Sequence, residues 1–199
     1  YNLLSEIKSK YPKINGIACV DTSPIMEKDW AQKAGLGWIG KHTNLITRDY
    51  GSWIFLGELL LDVALEYDAP FDDDLCGTCT ACLDACPTDA FPEPYVLDSN
   101  KCISYLTIEH RGDLPTELED KLSGWIYECD SCQEVCTWNI KFSQNSNEES
   151  FEPRLNIHNR AIEEWANLSE HEFKKIFKGS AVKRTKFSGL KRNITHNIQ

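Results

Sequence analysis

The spacing of the cysteines constrains this chain more than any other feature. Eight of its nine cysteines fall in two groups: Cys76-Gly-Thr-Cys79-Thr-Ala-Cys82-Leu-Asp-Ala-Cys86-Pro87, then Cys102 followed by Cys129-Asp-Ser-Cys132-Gln-Glu-Val-Cys136. The first reads C-x2-C-x2-C-x3-C-P, the ligand run of a two-cluster bacterial ferredoxin, in which the last cysteine serves the other cluster. A cubane needs three thiolates that one tight loop can aim at it, and a fourth from elsewhere. The second group repeats that logic with its first interval stretched. A ferredoxin crossing assigns Cys76, Cys79, Cys82 and Cys136 to one [4Fe–4S] cluster and Cys102, Cys129, Cys132 and Cys86 to the other. Such a protein moves electrons.

Zinc and disulfides are the competing readings. Zinc sites favour paired C-x2-C units without a third cysteine and a trailing C-P, and disulfide frameworks belong to small exported chains. The ninth cysteine, Cys19 in Ile17-Ala-Cys-Val20, reads as a buried strand residue. A mean hydropathy of −0.43 and the lack of a long apolar run predict a cytoplasmic protein with no membrane segment. At 199 residues the chain can bury one good core or two small ones, and nothing requires more than a monomer.

Charge is uneven. Residues 1–150 carry 11 Lys/Arg against 26 Asp/Glu, whereas residues 151–199 carry 10 against 5. After Phe173 come Lys174, Lys175, Lys178, Lys183, Arg184, Lys186, Lys191 and Arg192 with no acidic residue. An acidic protein with one basic face can bind nucleic acid there, although a solvated helical surface has the same composition.

Along the chain, Ile14 to Val20 reads as a short buried strand ending at Asp21. Ser23-Pro24 reads as a helix start, with Glu27 in the first turn and helix over Trp30 to Ala34. Asp21 then stands where a strand hands over to a helix, a position that commonly faces a ligand crevice. Trp53 to Leu65 reads as strand, Asp72-Asp-Asp74 as a turn into the first cysteine, Ser143 to Ser150 as a loop, and Ile162 to Ile176 as helix. Gly35-Leu-Gly-Trp-Ile-Gly-Lys41 satisfies two nucleotide-binding patterns. However, helix rather than strand precedes the glycines, and His42 replaces the Ser or Thr that a phosphate loop requires. Its glycines indicate close backbone approach instead.

Taken in order, Asp21-Thr-Ser-Pro-Ile-Met-Glu27, Ala34-Gly-Leu-Gly-Trp-Ile-Gly-Lys41, Gly51-Ser-Trp-Ile-Phe-Leu-Gly-Glu58, the first cysteine run, Cys102-Ile-Ser-Tyr-Leu-Thr-Ile-Glu109 and Cys129-Asp-Ser-Cys-Gln-Glu-Val-Cys136 resemble epoxyqueuosine reductase over nearly the whole chain. The resemblance implies a cobalamin-dependent iron–sulfur enzyme that reduces the epoxide of epoxyqueuosine at the wobble position of tRNA, the last step of queuosine synthesis. It implies an α+β fold in three parts. Residues 1–75 would be the C-terminal part of an α/β cobalamin-binding domain and 76–141 a ferredoxin-like domain with two [4Fe–4S] clusters. Residues 142–199 would open a HEAT-like helical domain that binds tRNA. Against the family pattern the chain begins inside the first domain and stops early in the helical repeats.

The resemblance also assigns roles. Asp21 matches the family's acid and would protonate the oxygen leaving the opened ring, which requires its carboxyl to be held protonated by burial. Thr43, Gly57, Ser104, Asp130 and Ser131, together with Asp21, would contact the corrin of cob(II)alamin. His42 departs from the family's glycine-lysine-asparagine-threonine block and reads as a loop substitution rather than an axial ligand. Lys183, Arg184, Lys186, Lys191 and Arg192, with His110 and Arg111, would face the tRNA backbone. An electron donor of unidentified nature completes the set. A reductive dehalogenase, a plain ferredoxin-type carrier and a tRNA-binding chaperone account for fewer of these blocks.

Overall fold

The structure, a computed structural model, describes residues 2–152, 157 and 160–198. Contacts divide the chain into two compact units: Tyr1–Thr80 with Cys136–Ser143, and Ala81–Val135 with Gln144–Gln199. Both helices and short strands are present.

Unit 1 opens with α1 (Asn2–Lys10) and β1 (Gly16–Cys19). Next come α2 (Glu27–Lys33), β2 (Trp38–Ile39), β3 (Leu45–Ile46) and β4 (Glu58–Leu61). β1 pairs antiparallel with β4, Gly16 opposite Leu61 and Cys19 opposite Glu58, and β2 pairs antiparallel with β3. Cys19 is buried as expected, but Ile17 and Val20 are exposed, so β1 is covered only at its C-terminal end. The strand expected over Trp53 to Leu65 shrinks to β4, because β1 offers a partner only four residues long.

The helix expected to start at Ser23-Pro24 begins at Glu27 instead. Residues 21–24 form a bend, with Asp21 at φ 54° and the Ile25 N–H donated to Ser23 O at 2.8 Å. The capping residues are spent on that bend. Gly37 earns its place by close approach: a Cβ there would stand 2.0 Å from Ile46 O. This lets β2 and β3 pack Trp38 and Ile46 into a core with Cys136, flanked by Phe71, Leu75, Cys76 and Trp138.

The regular elements described in unit 2 are helical. α3 (Ala81–Asp84) packs against the next short helix of a cysteine run, and α4 (Ile103–Ile108) follows Cys102. α5 (Ser131–Glu134) is the helix that α3 meets, and α6 (Thr137–Phe142) carries the chain back into unit 1. The run expected to be one helix from Ile162 to Ile176 is two, α7 (Ile162–Ala166) and α8 (Glu170–Ile176). Ser169 breaks it: its Oγ accepts from the Glu172 N–H while Glu172 Oε2 accepts from the Ser169 N–H, a reciprocal cap. After a 3-10 turn over Ala181–Thr185, α9 (Lys186–His196) is the last helix described and packs Leu190 and Ile194 against Trp165, Phe173 and Phe177. A second core of Ile103, Leu106, Leu114, Leu118 and Leu122 lies beneath α4.

Candidate functional site

Unit 2 gathers the thiols assigned to the second cluster. Cys86 follows α3, Cys102 caps α4, and Cys129 and Cys132 flank and enter α5. The Cys132 thiol is pushed up to about 12, first by burial and then by the neighbouring Cys129, Cys102, Cys82 and Cys86. Cys129 is likewise raised by burial and by Cys102 and Cys86, against a Ser131 hydroxyl 3.4 Å from its sulfur that lowers it. Several thiolates in one half-buried place repel one another unless a cationic iron core sits among them, so this donor set fits a cluster. The Cys86 sulfur accepts from the Ala90 N–H at 3.3 Å, a contact of the kind that sets cluster potential. Among the described residues no group of His, Cys, Asp and Glu is arranged to hold a single metal ion.

Unit 1 holds Cys76, Cys79 and Cys136 of the first quartet, and Cys82 belongs to unit 2. Trp38 Nε1 lies 3.5 Å from Cys76 Sγ, and Trp138 Nε1 donates to Leu75 O at 3.2 Å, fixing the approach to the cysteine loop. Lys41, the lysine of the phosphate-loop lookalike, is buried and donates to Gly77 O at 2.6 Å and Cys79 O at 2.9 Å. It thereby holds two carbonyls of the first cysteine loop. His42, 2% exposed, accepts the Asn44 N–H on Nδ1 at 3.1 Å. Its proton therefore sits on Nε2, which is buried without a partner. Burial holds the ring down to about 4, helped by the charge of Lys28.

Asp21 lies just beyond β1 and is exposed, not buried as a protonated acid would need. Its left-handed backbone is a conformation that costs an L-residue about 1–2 kcal/mol and tends to persist where function requires it. Glu27 Oε1 accepts the Asp21 N–H at 2.6 Å and so anchors that bend. Glu58, opposite Cys19, has Oε2 buried and unpartnered, and burial together with the charge of Glu27 holds its carboxyl above the usual range. Thr43, also at positive φ, accepts Lys28 Nζ on its carbonyl at 2.8 Å, while burial holds Lys28 below the ordinary lysine range. Gly57 is exposed beside Val20. Sequence reasoning assigned no role to Glu27, Lys28, Lys41 or Glu58, although the D-x2-P-x2-E block already set Glu27 six residues from Asp21.

In unit 2, Ser104 O accepts the Thr107 hydroxyl at 3.3 Å, and Asp130 Oδ1 accepts from Gln133 Nε2 at 3.0 Å. Burial raises the Asp130 carboxyl, partly offset by Gln133.

Residues 75–139 match the 4Fe–4S double cluster binding domain. The epoxyqueuosine reductase of Cellulophaga algicola is 49% identical over 188 residues, 94% of this chain and 61% of that protein. That of Synechocystis sp. is 48% identical over 194 residues, 97% of this chain and 67% of that protein. The chain belongs to the epoxyqueuosine reductase family. It also matches a crystal structure of epoxyqueuosine reductase with a tRNA-Tyr epoxyqueuosine-modified stem loop at TM-score 0.90 and 32% identity, covering 99% of this chain and 52% of that one. A Bacillus subtilis epoxyqueuosine reductase whose catalytic aspartate loop is swung out of the active site matches at TM-score 0.89 and 32% identity, with the same coverage. The chain therefore spans three fifths to two thirds of these curated relatives and about half of the solved chains.

The residues that resemblance to epoxyqueuosine reductases assigned to tRNA divide by what they touch. Lys183 and Lys186 are exposed. Arg184 pairs with Glu109, and Arg111 donates to Arg184 O at 2.9 Å and Ile108 O at 2.8 Å. His110 Nε2 meets Asp113 O at 2.7 Å. Lys191 is half-buried and donates to Ala166 O at the end of α7. Arg192, also half-buried, donates to Leu106 O at 2.6 Å, Gly112 O at 2.7 Å and His110 O at 3.2 Å.

Proposed function

We propose that this chain reduces epoxyqueuosine to queuosine in tRNA at the wobble position, the last step of queuosine biosynthesis. The observation that carries the reading is a pair of cysteine quartets spaced for two [4Fe–4S] clusters in a chain of the epoxyqueuosine reductase family. Turning an epoxide into an alkene and water consumes two electrons and two protons, and side chains cannot furnish the electrons. When bound, the clusters deliver them singly and cobalamin supplies the reducing cobalt that acts on the ring.

The chain's own share is positioning and proton delivery. Cys76, Cys79, Cys82 and Cys136 hold one cluster; Cys86, Cys102, Cys129 and Cys132 hold the other. Asp21 protonates the leaving oxygen from a bend that Glu27 anchors, and the bend being exposed matches an acid that is covered only once substrate arrives. The swung-out aspartate loop of the Bacillus subtilis relative supports a loop of this kind. Thr43, Gly57, Ser104, Asp130 and Ser131 hold the corrin rim. Two buried unpartnered atoms of unit 1, Glu58 Oε2 and His42 Nε2, fit a cofactor whose rim carries amide donors and acceptors. Residues 1–75 form the cobalamin-binding part, 76–141 the ferredoxin-like part, and 142–199 the start of a HEAT-like tRNA-binding part, acting as a cytoplasmic monomer. Lys183 and Lys186 make phosphate contacts, and His110, Arg111, Arg184, Lys191 and Arg192 shape that face.

The test is anaerobic EPR of the reconstituted chain, and of a version extended at both ends, titrated with cob(II)alamin and then assayed on epoxyqueuosine-tRNA. A base-off cobalt signal beside reduced-cluster signals, with alkene formed, supports the reading. Cluster signals with no change in cobalamin in either version would make the chain an electron carrier.

A further inference from the structure

The second quartet has one weakness visible in the sequence: Cys102 is separated from Cys129 by a long interval where ferredoxin runs use two residues. Nothing in the C-x2-C-x3-C run itself can set where Cys102 stands. Cys102 is the N-cap of α4, so the placement of α4 decides it. That helix is only six residues long, well short of what holds as an isolated helix, and its last carbonyls have no partners within it.

Ile108 O is met locally by Arg111, but the carbonyls of Leu106 and Thr107 are met from residues far along the chain. Leu106 O accepts Arg192 Nη2 at 2.6 Å. Thr107 O accepts both the Thr185 hydroxyl at 2.7 Å and Asn193 Nδ2 at 2.9 Å. The same Asn193 Nδ2 also donates to Ile126 O at 3.0 Å, three residues before Cys129. Asn193 Oδ1 in turn accepts from Arg192 Nε at 3.1 Å and Nη2 at 2.8 Å, which fixes the amide's orientation. Asn193 and Thr107 are fully buried and Thr185 nearly so. One amide therefore ties the segment after Cys102 to the segment before Cys129. Asparagine is required there: two N–H donors face two carbonyls while an oxygen faces a guanidinium, and neither Asp nor an apolar side chain can supply that set.

We infer that Asn193, seated by Arg192 and seconded by Thr185, is a positioning residue for the second iron–sulfur cluster, setting the separation of Cys102 from Cys129 and Cys132. It rests on the two-cluster reading and on no part of the tRNA reading. Asn193→Asp keeps the size and the Arg192 contact but loses both donors. Thr185→Val removes one hydroxyl bond at nearly constant shape. Thr195→Ala, on the same helix with its hydroxyl bonded to Lys191 O, leaves the tie intact.

The anaerobically reconstituted chain and these variants are compared by iron content, reduced-state EPR and the midpoint potential of each cluster. In Asn193→Asp one of the two cluster signals is lost, with iron falling to about half, or its potential is displaced while the other signal keeps its position. Thr185→Val displaces the same signal less, and Thr195→Ala displaces neither. Both signals at parental potentials in Asn193→Asp and Thr185→Val would overturn the inference. Should Asn193→Asp fail to fold, Thr185→Val decides alone: a selective displacement supports the tie, and parental values refute it. A parent chain that binds no cluster pair would instead refute the two-cluster reading.

Discussion

The ring of His42 makes acid sensitivity calculable. Nδ1 is committed to the Asn44 N–H, the side chain is 2% exposed, and a second proton would be buried beside the charge of Lys28. The ring's value therefore drops from 6.5 to about 4 on folding. As pH falls below the ordinary value the unfolded chain takes up a proton that the folded chain refuses, so the unfolded state binds more protons and stability declines. The loss begins near 6.5 and is complete below about 4, where both states are protonated. At about 1.4 kcal/mol per unit the full effect is about 3.5 kcal/mol, of which about 2 kcal/mol falls between roughly pH 7.5 and pH 5. Urea unfolding followed by far-ultraviolet circular dichroism, on the anaerobic protein and on His42→Gln at both pH values, measures it. The acid sensitivity of the clusters is common to both proteins and cancels in the difference. Parent and variant losing the same stability across that interval would refute the argument, as would a directly measured His42 titration near the ordinary imidazole value.

Lys41→Met removes a buried ammonium from two carbonyls of the first cysteine loop; it is expected to cost about 2–4 kcal/mol and to slow cluster reconstitution, read by denaturation and iron uptake. Gly37→Ala forces a Cβ against Ile46 O, backbone that cannot swing aside, so the β2–β3 pair must shift and a loss of at least about 2 kcal/mol is expected in the same assay. Glu58→Gln removes a carboxylate that burial and Glu27 disfavour. The variant should exceed the parent in stability at neutral pH, with the gain fading as acid protonates the parent's carboxyl, and a gain independent of pH would contradict this. Lys183→Ala with Lys186→Ala should weaken tRNA-stem binding and lower its salt slope by about 2, measured by titration at several salt concentrations.

The chemistry was legible where it depends on spacing. Eight cysteines at diagnostic intervals, a helix ahead of the Gly35–Gly40 loop and a buried Cys19 all follow from local order. What escaped was decided by side-chain and backbone partners that no local pattern announces. Ser23-Pro24 carries every local sign of a helix start, yet the bend that Glu27 stabilises at Asp21 pushes the start to residue 27. Trp53 to Leu65 has strand composition throughout, but a strand is only as long as its neighbour's ladder. Lys191 and Arg192 read as surface cations because sequence cannot tell a guanidinium facing solvent from one facing Leu106 O, 86 positions away. Asn193 was given no role of its own in the sequence, its value lying in the two carbonyls it spans.

The path of the chain through unit 1 has a consequence for its synthesis. The backbone leaves that unit at Thr80 and re-enters at Cys136, where Asn139 Oδ1 accepts the Ser52 N–H at 2.6 Å beside Gly51. A nascent chain emerging from the ribosome can form β1, β4 and the Gly-rich loop early, but Ser52 waits for its partner until most of the iron-binding segment has also emerged. Closure of the first unit is thus timed to the arrival of Cys136, the last cysteine of the chain, and of Asn139 three residues behind it.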